Sequence, residues 1–192
     1  NNHNIEIINS NCQRLLRLIN NIIDIEKFDN HKLKLDLENI NIVNLIEDII
    51  SSINPYAKSK NLRIIFDTND EDIVMALDCA KIERVLLNLL SNAIKFSYVD
   101  GIIYVNVNKK EENVIISIRD FGIGMSEKYL DKIFDRFIQV DNTMTRKNEG
   151  SGIGLSIVKS FVSLHNGSIS VKSKENEGSE FIINLPINLI ED

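Results

Sequence analysis

An α+β sandwich is the fold class this sequence predicts: a mixed, mostly antiparallel sheet covered on one face by three helices. Hairpin-like pairs of alternating segments outnumber crossovers, which excludes a doubly wound parallel fold. Three segments of helical periodicity are interleaved with those strands. Apolar residues make up 43% of the 192, enough for a sizeable core and too many for a disordered chain. At about 150 residues per domain, the length allows one full domain and an appendage, which is a long helix at the start.

That helix carries a seam. Ile5, Ile8, Cys12, Leu15, Ile19 and Ile22 alternate spacings of three and four, the a/d pattern of a coiled coil or bundle. Leu16 and Ile23 widen the stripe, and the opposite face carries Asn9, Gln13, Arg14, Arg17, Asn21 and Asp24. A lone helix cannot bury such a stripe, so it needs a partner.

Residues 32–38 alternate, with Leu33, Leu35 and Leu37 on one side, and predict a strand. Asn41 or Asn44 caps a helix through 42–53, with Pro55 interrupting or kinking it. Segments 62–67 and 73–77 read as strands joined by the polar turn 68–72. Asp78 caps a strong helix over 79–96. After a turn at 98–101, segments 102–108 and 114–120 form a hairpin. A glycine-rich stretch leads to a short helix over 127–135, and the polar, aperiodic segment 139–150 reads as a mobile loop. A helix over 152–164 stops at Asn166-Gly167. A last hairpin pairs 169–173 with 180–185, and Pro186 ends it.

Composition narrows the function. A net charge of -6 argues against a general nucleic-acid binder, because neutralising phosphates needs excess Lys and Arg. Two distant cysteines, Cys12 and Cys79, exclude a disulfide framework and a cysteine metal site, and suit a reducing cytosol. No apolar run approaches the ~20 residues of a membrane span, and no signal-peptide pattern opens the chain. The start on polar residues running straight into a helix reads as a piece of something longer.

Four clusters carry chemistry. Asn88, Asn92 and Lys95 share one helix face, while Val85, Leu86, Leu89, Leu90 and Ala93 supply the core side. An amide oxygen is a hard ligand suited to Mg²⁺, and lysine is a mobile point charge for phosphate; a solvated polar face is the bland alternative. Asp120-Phe-Gly122-Ile-Gly124 closes an alternating strand, where an Asp with two glycines can offer a carboxylate while the backbone approaches a ligand closely; otherwise it is a tight turn. Asp-Phe-Gly is also a motif of Ser/Thr/Tyr protein kinases, but no His-Arg-Asp loop or Val-Ala-Ile-Lys strand accompanies it here. Gly150-Ser-Gly152-Ile-Gly154-Leu155 opens a helix, where backbone N–H groups and the helix dipole meet phosphates. It follows a loop and not a strand, so a dinucleotide fingerprint fits poorly. Ser179, at the start of the final strand, is placed to point into a pocket.

In this order the clusters resemble the ATP-binding catalytic domain of bacterial-type sensor histidine kinases, within the GHKL superfamily that includes gyrase B and MutL. The asparagine helix resembles the N-box, Asp120 to Gly124 the first glycine box, Ile133-Phe-Asp-Arg-Phe137 the phenylalanine box, and Gly150 to Leu155 the second glycine box. The resemblance implies a Bergerat-type ATP fold over residues 41–192, a linker strand over 31–40, and in 1–30 the second helix of a dimerisation and histidine phosphotransfer domain. It further implies that Asp120 accepts from the adenine amino group and that Gly122 and Gly124 let the backbone approach the base. Asn92 would hold Mg²⁺ between the ATP phosphates, with Lys95 and Asn88 at the reacting phosphates as the catalytic pair and Phe96 flanking the nucleotide. Gly150, Gly152, Gly154 and Leu155 would lie under the phosphates. Residues 138–149 would form a lid, with Arg146 or Lys147, and secondarily Arg136, as phosphate contacts, and Ser179 near the adenine. Partners implied are a response regulator receiver domain and a second copy joined through the phosphotransfer helices. The location implied is cytoplasmic, with any membrane anchor outside this chain.

The family's phosphoacceptor is a His followed by Glu or Asp. His3, His31 and His165 lack that setting, and His165 reads as a structural helix-end residue. A clamp ATPase of the gyrase or MutL class would carry a Glu one turn before the metal-binding Asn to activate water; here that position is Asn88. A nucleotide-binding pseudokinase is the remaining alternative.

Overall fold

The computed structural model describes residues 19–24, 26–30, 32–139 and 152–190. Residues 19–24 and 26–29 are helical (α1), and Ile19, Ile22 and Ile23 are left exposed there. The part of the seam before residue 19 lies outside the described residues.

The ordered core begins with β1 (Glu38–Asn41) and α2 (Ile42–Ser59). Asn41 caps α2, its side chain accepting from the N–H groups of Val43 and Asn44. The helix runs through Pro55 to Ser59. Ala57, beyond the proline, is fully buried, and that packing offsets the hydrogen bond that proline removes. β2 (Arg63–Thr68), β3 (Val74–Leu77), α3 (Cys79–Phe96), β4 (Ile102–Lys110) and β5 (Asn113–Asp120) follow. Then come α4 (Glu127–Leu130), α5 (Gly154–Leu164), β6 (Ser168–Lys174) and β7 (Gly178–Pro186).

Five strands form one sheet in the order β2-β4-β5-β7-β6, with only β2 and β4 parallel. Ile103, Val105, Val107, Val114, Ile116, Ile118, Phe181, Ile183 and Leu185 alternate onto its buried face. There they meet Ile46, Ile49 and Ile53 of α2, Leu86, Leu89 and Leu90 of α3, and Ile157, Val158 and Phe161 of α5. The two-layer sandwich with three covering helices is as the sequence predicts.

Segments 62–67 and 73–77 contain strands as expected; β3 pairs antiparallel with β1 in a separate two-stranded sheet, while β2 joins the main sheet beside β4. Two local expectations are corrected. Residues 32–37 are not a strand; pairing starts at Glu38. The helix expected over 127–135 is a single turn, Glu127–Leu130, followed by turns.

Candidate nucleotide site

Asp120 ends β5, the central strand of the sheet, and is only 4% exposed. Its Oδ1 accepts from the Gly122 N–H at 2.9 Å. Burial pushes its carboxyl up to about 6, partly offset by the main-chain amides of Gly122 and Ser179. A carboxylate is thus held at a place where water no longer solvates it well, and a ligand donor can replace the lost hydration.

Three glycines frame it by close backbone approach. A Cβ on Gly122 would lie 2.0 Å from the Phe96 carbonyl oxygen, and one on Gly124 would lie 1.9 Å from that of Lys174. One on Gly178 would lie 2.0 Å from the Asp120 carbonyl oxygen, and Gly178 adopts a φ of 94°. The Ile123 N–H donates to the Phe96 carbonyl at 3.1 Å. The first glycine box is therefore sewn to the end of α3, and Asp120 and Phe96 come to one corner of the molecule. The sequence marks the cluster Gly178-Ser-Glu-Phe181 for its serine, whereas the close approach to Asp120 falls on its glycine.

Ser179 pairs with Asp120 across β5 and β7. Its hydroxyl is engaged with Ser173 Oγ at 2.9 Å, and Ser173 Oγ also accepts from the Met125 N–H. The support that Ser179 gives Asp120 comes from its backbone.

On α3, Asn88 and Asn92 are half-buried. Asn88 Nδ2 donates to the Arg84 carbonyl at 2.7 Å. Its Oδ1 faces Gly154, where a Cβ would sit 2.7 Å away. The asparagine helix and the start of α5 are thus adjacent, as the motifs require. The Lys95 ammonium lies 4.8 Å from the centre of the Phe96 ring. Leu155 is half-buried and packs against the core.

The segment between the phenylalanine box and α5 is closed at its neck. Phe137 N–H donates to the Gly152 carbonyl at 2.9 Å. Both residues have left-handed backbones, with φ of 63° and 68°. That conformation is costly for a phenylalanine, and its ring is 69% exposed. Arg146, Lys147 and Gly150 lie outside the described residues. Arg136 Nη2 donates to Asp29 Oδ1 of α1 at 2.5 Å. Among the described residues no group of three His, Cys, Asp or Glu side chains forms a metal cage, and no helix is long and apolar enough to cross a membrane.

The family described as histidine kinase-, DNA gyrase B-, and HSP90-like ATPase matches residues 78–189. The chain therefore belongs to that family, as an ATP-binding domain. Sensor histidine kinase WalK of Bacillus subtilis is 36% identical over 182 residues, covering 94% of this chain and 30% of that protein. Histidine kinase P4 of Formosa agariphila is 35% identical over 94% of this chain and 13% of its own length. The chain thus spans a minor part of the relatives it matches. The catalytic domain of histidine kinase ThkA superposes with a TM-score of 0.70 at 28% identity, covering 80% of this chain and 97% of that one. Histidine kinase AdeS of Acinetobacter baumannii shares the fold, with a TM-score of 0.80 at 21% identity over 96% of this chain and 84% of that one.

Proposed function

We propose that this chain positions Mg-ATP and transfers its γ-phosphoryl group to a histidine on a separate segment, for onward relay to an Asp of a response regulator receiver domain. The observation that carries this is the pairing of a buried, glycine-framed carboxylate at Asp120 with a half-buried asparagine face that meets the start of α5 at Asn88 and Gly154. Asp120 accepts from the adenine amino group. Gly122 and Gly124 keep the base against backbone, and Phe96 flanks it. Gly152, Gly154 and Leu155 place the start of α5 under the phosphates, and Lys95 supplies positive charge to them.

Asn92 fits the magnesium ion. Its amide oxygen is a hard donor, the described residues offer its side chain no hydrogen bond, and Mg²⁺ on a nucleotide keeps most ligands from phosphate and water. Bound there, the ion would neutralise charge on the phosphates. Asn88 cannot take a proton from water, which favours transfer to a neutral imidazole, already a nucleophile, over hydrolysis. The exposed stripe of Ile19, Ile22 and Ile23 fits a homodimer formed through α1, on the cytoplasmic side of any anchor.

Radiolabelled ATP distinguishes the reading. The chain alone should bind Mg-ATP yet gain no acid-labile phosphohistidine, and should label an added helix pair bearing a His-Glu or His-Asp motif. Labelling of His3, His31 or His165 would refute it.

A further inference from the structure

The helices that carry the proposed nucleotide residues run antiparallel, and α5 meets α3 at each of its own two ends. At the near end Gly154 of α5 faces Asn88 of α3. At the far end, about 15 Å along the helix, His165 follows α5 and meets the residue that opens α3. The Asp78 N–H donates to His165 Nε2 at 3.0 Å, and Nδ1 lies 2.7 Å from the Phe161 carbonyl oxygen. A backbone N–H can only donate and a carbonyl can only accept. The ring is therefore the neutral tautomer with its proton on Nδ1.

His165 is 6% exposed and Asp78 is 3% exposed. The charged groups facing the ring are the Asp78 carboxylate and the Lys81 ammonium, both from the start of α3. Asp78 is itself fully engaged. Oδ1 accepts from the Lys81 N–H, and Oδ2 accepts from Lys81 Nζ and from the Asp36 N–H of the linker. Between the two ends, Arg84 of α3 lies over the Phe161 ring of α5 at 5.3 Å. Ile82, Val85, Leu86 and Leu89 pack in the same buried core as Ile157, Val158 and Val162. A close-packed interface transmits displacement and does not absorb it. A slip of α5 at His165 therefore reaches the side chain that a Cβ on Gly154 would meet among the described residues, Asn88.

We propose that His165 is a positioning residue of the nucleotide site: its neutral imidazole locks the end of α5 to the first turn of α3 and sets the register in which Gly154 meets Asn88. It touches neither nucleotide nor metal. Protonation would set an N–H against the Asp78 N–H and release the lock. Burial lowers the ring's pKa from its ordinary value, so the lock holds at neutral pH and fails on acidification below the usual histidine range. This inference rests on the nucleotide reading above.

The test is calorimetric ATP titration of the full chain from pH 7.5 to pH 5, for the wild type, His165→Gln and His165→Leu. Glutamine can present a carbonyl oxygen to the Asp78 N–H and does not titrate. Asp120, the ATP phosphates, His3 and His31 titrate alike in all three proteins, so the ratio of wild type to His165→Gln isolates the ring. That ratio should be constant near neutrality and fall about three- to tenfold by pH 5. His165→Leu should bind about three- to tenfold more weakly at pH 7.5. Parallel curves for wild type and His165→Gln would overturn the proposal, as would a folded His165→Leu that binds like wild type. If His165→Leu fails to fold, the His165→Gln ratio alone decides. Absence of ATP binding by the wild type at every pH would instead bring down the nucleotide reading itself.

Discussion

The two ends of the proposed ATP site are built differently. At the adenine end, Gly122, Gly124 and Gly178 are each pressed against main-chain oxygens so closely that no side chain fits, and Asp120 is bonded by backbone amides. At the phosphate end Gly152 is likewise pressed on the Phe137 main chain, but the contacts between α3 and α5 are made by a side chain: Gly154 faces the Asn88 amide, which also bonds the Arg84 carbonyl. A base reader made of backbone is fixed before the ligand arrives. A phosphate end made of side chains can exchange partners, which suits a site that holds ATP at one stage and ADP at the next. The difference predicts that backbone-directed changes at the adenine end cost fold and binding together, whereas changes at the phosphate end alter chemistry at small cost in stability.

The largest effect should come from Gly178→Ala. The new Cβ meets the Asp120 carbonyl oxygen at 2.0 Å in a left-handed backbone. Backbone strain and overpacking together should destabilise the chain by on the order of 3 kcal/mol and remove measurable ATP binding. Gly154→Ala is the contrast, because its Cβ meets only the end of the Asn88 side chain. Urea denaturation of the two variants should separate widely. Similar stabilities would erase the distinction between the two ends.

Asp120→Asn comes next. A hydrogen bond to a charged group contributes about 1.5–3 kcal/mol, so ATP affinity should fall roughly 10- to 150-fold. GTP, which presents a carbonyl where ATP has the amino group, should bind the wild type poorly and lose less. The stability effect has the opposite sign. Burial raises the carboxyl to about 6 in the fold, above the ordinary aspartate value that the unfolded chain keeps. The folded state therefore binds more protons than the unfolded chain across that interval, and its stability falls as pH rises through it. The resulting penalty, up to about 3 kcal/mol above pH 6, is absent in the variant. Denaturation curves from pH 4 to pH 7 should show the wild type losing stability relative to Asp120→Asn. A constant difference would place the carboxylate elsewhere than in a desolvated floor.

Asn88→Glu should raise steady-state ATP hydrolysis by less than the ~10²–10⁴-fold of an optimised general base, with little change in melting temperature. Asn88 lies one helical turn before Asn92, and its side chain already reaches the start of α5. A wild type that turns over several ATP molecules per second would return the clamp-ATPase reading to contention.

What could be read without coordinates divides along physical lines. The period-3.6 stripe of α3 and the period-2 alternation of β5 are local, and both elements fall within one residue of expectation. Asn88 and Asn92 on α3 and Asp120 at the end of β5 keep the element positions that those patterns give them. Pairing is not local. Residues 62–67 and 73–77 alternate like two neighbouring strands, yet β3 takes β1 as its partner, and the Asn41 side chain at the end of β1 donates to the Glu71 carbonyl ahead of β3. Leu33, Leu35 and Leu37 alternate without a neighbouring strand to pair with. The Asp78–His165 bond joins residues 87 apart, and no local pattern records such a contact. The phenylalanine-box motif points Arg136 toward phosphate, while its observed partner, Asp29, belongs to a helix whose placement only the tertiary structure gives.

That pair supplies the smallest expected effect. Asp29 and Arg136 have side chains 45% and 43% exposed. The Arg136 hydrogen bond holds the Asp29 carboxyl below its usual range, and the same bond raises the guanidinium. If Arg136 contributes to phosphate binding it must first leave Asp29, so the two acceptors compete for one cation. Exposed ion pairs are weak and screened by salt. Asp29→Asn should therefore tighten Mg-ATP binding by less than about fivefold at low ionic strength, and the gain should vanish near 1 M salt. In an Arg136→Ala background the substitution should have no effect at any salt. An equal gain in both backgrounds would mean that Asp29 acts on ATP through its own charge. No loss of ATP affinity in Arg136→Ala itself would remove Arg136 from the phosphate end, and leave its bond to Asp29 as a tether between α1 and the catalytic domain.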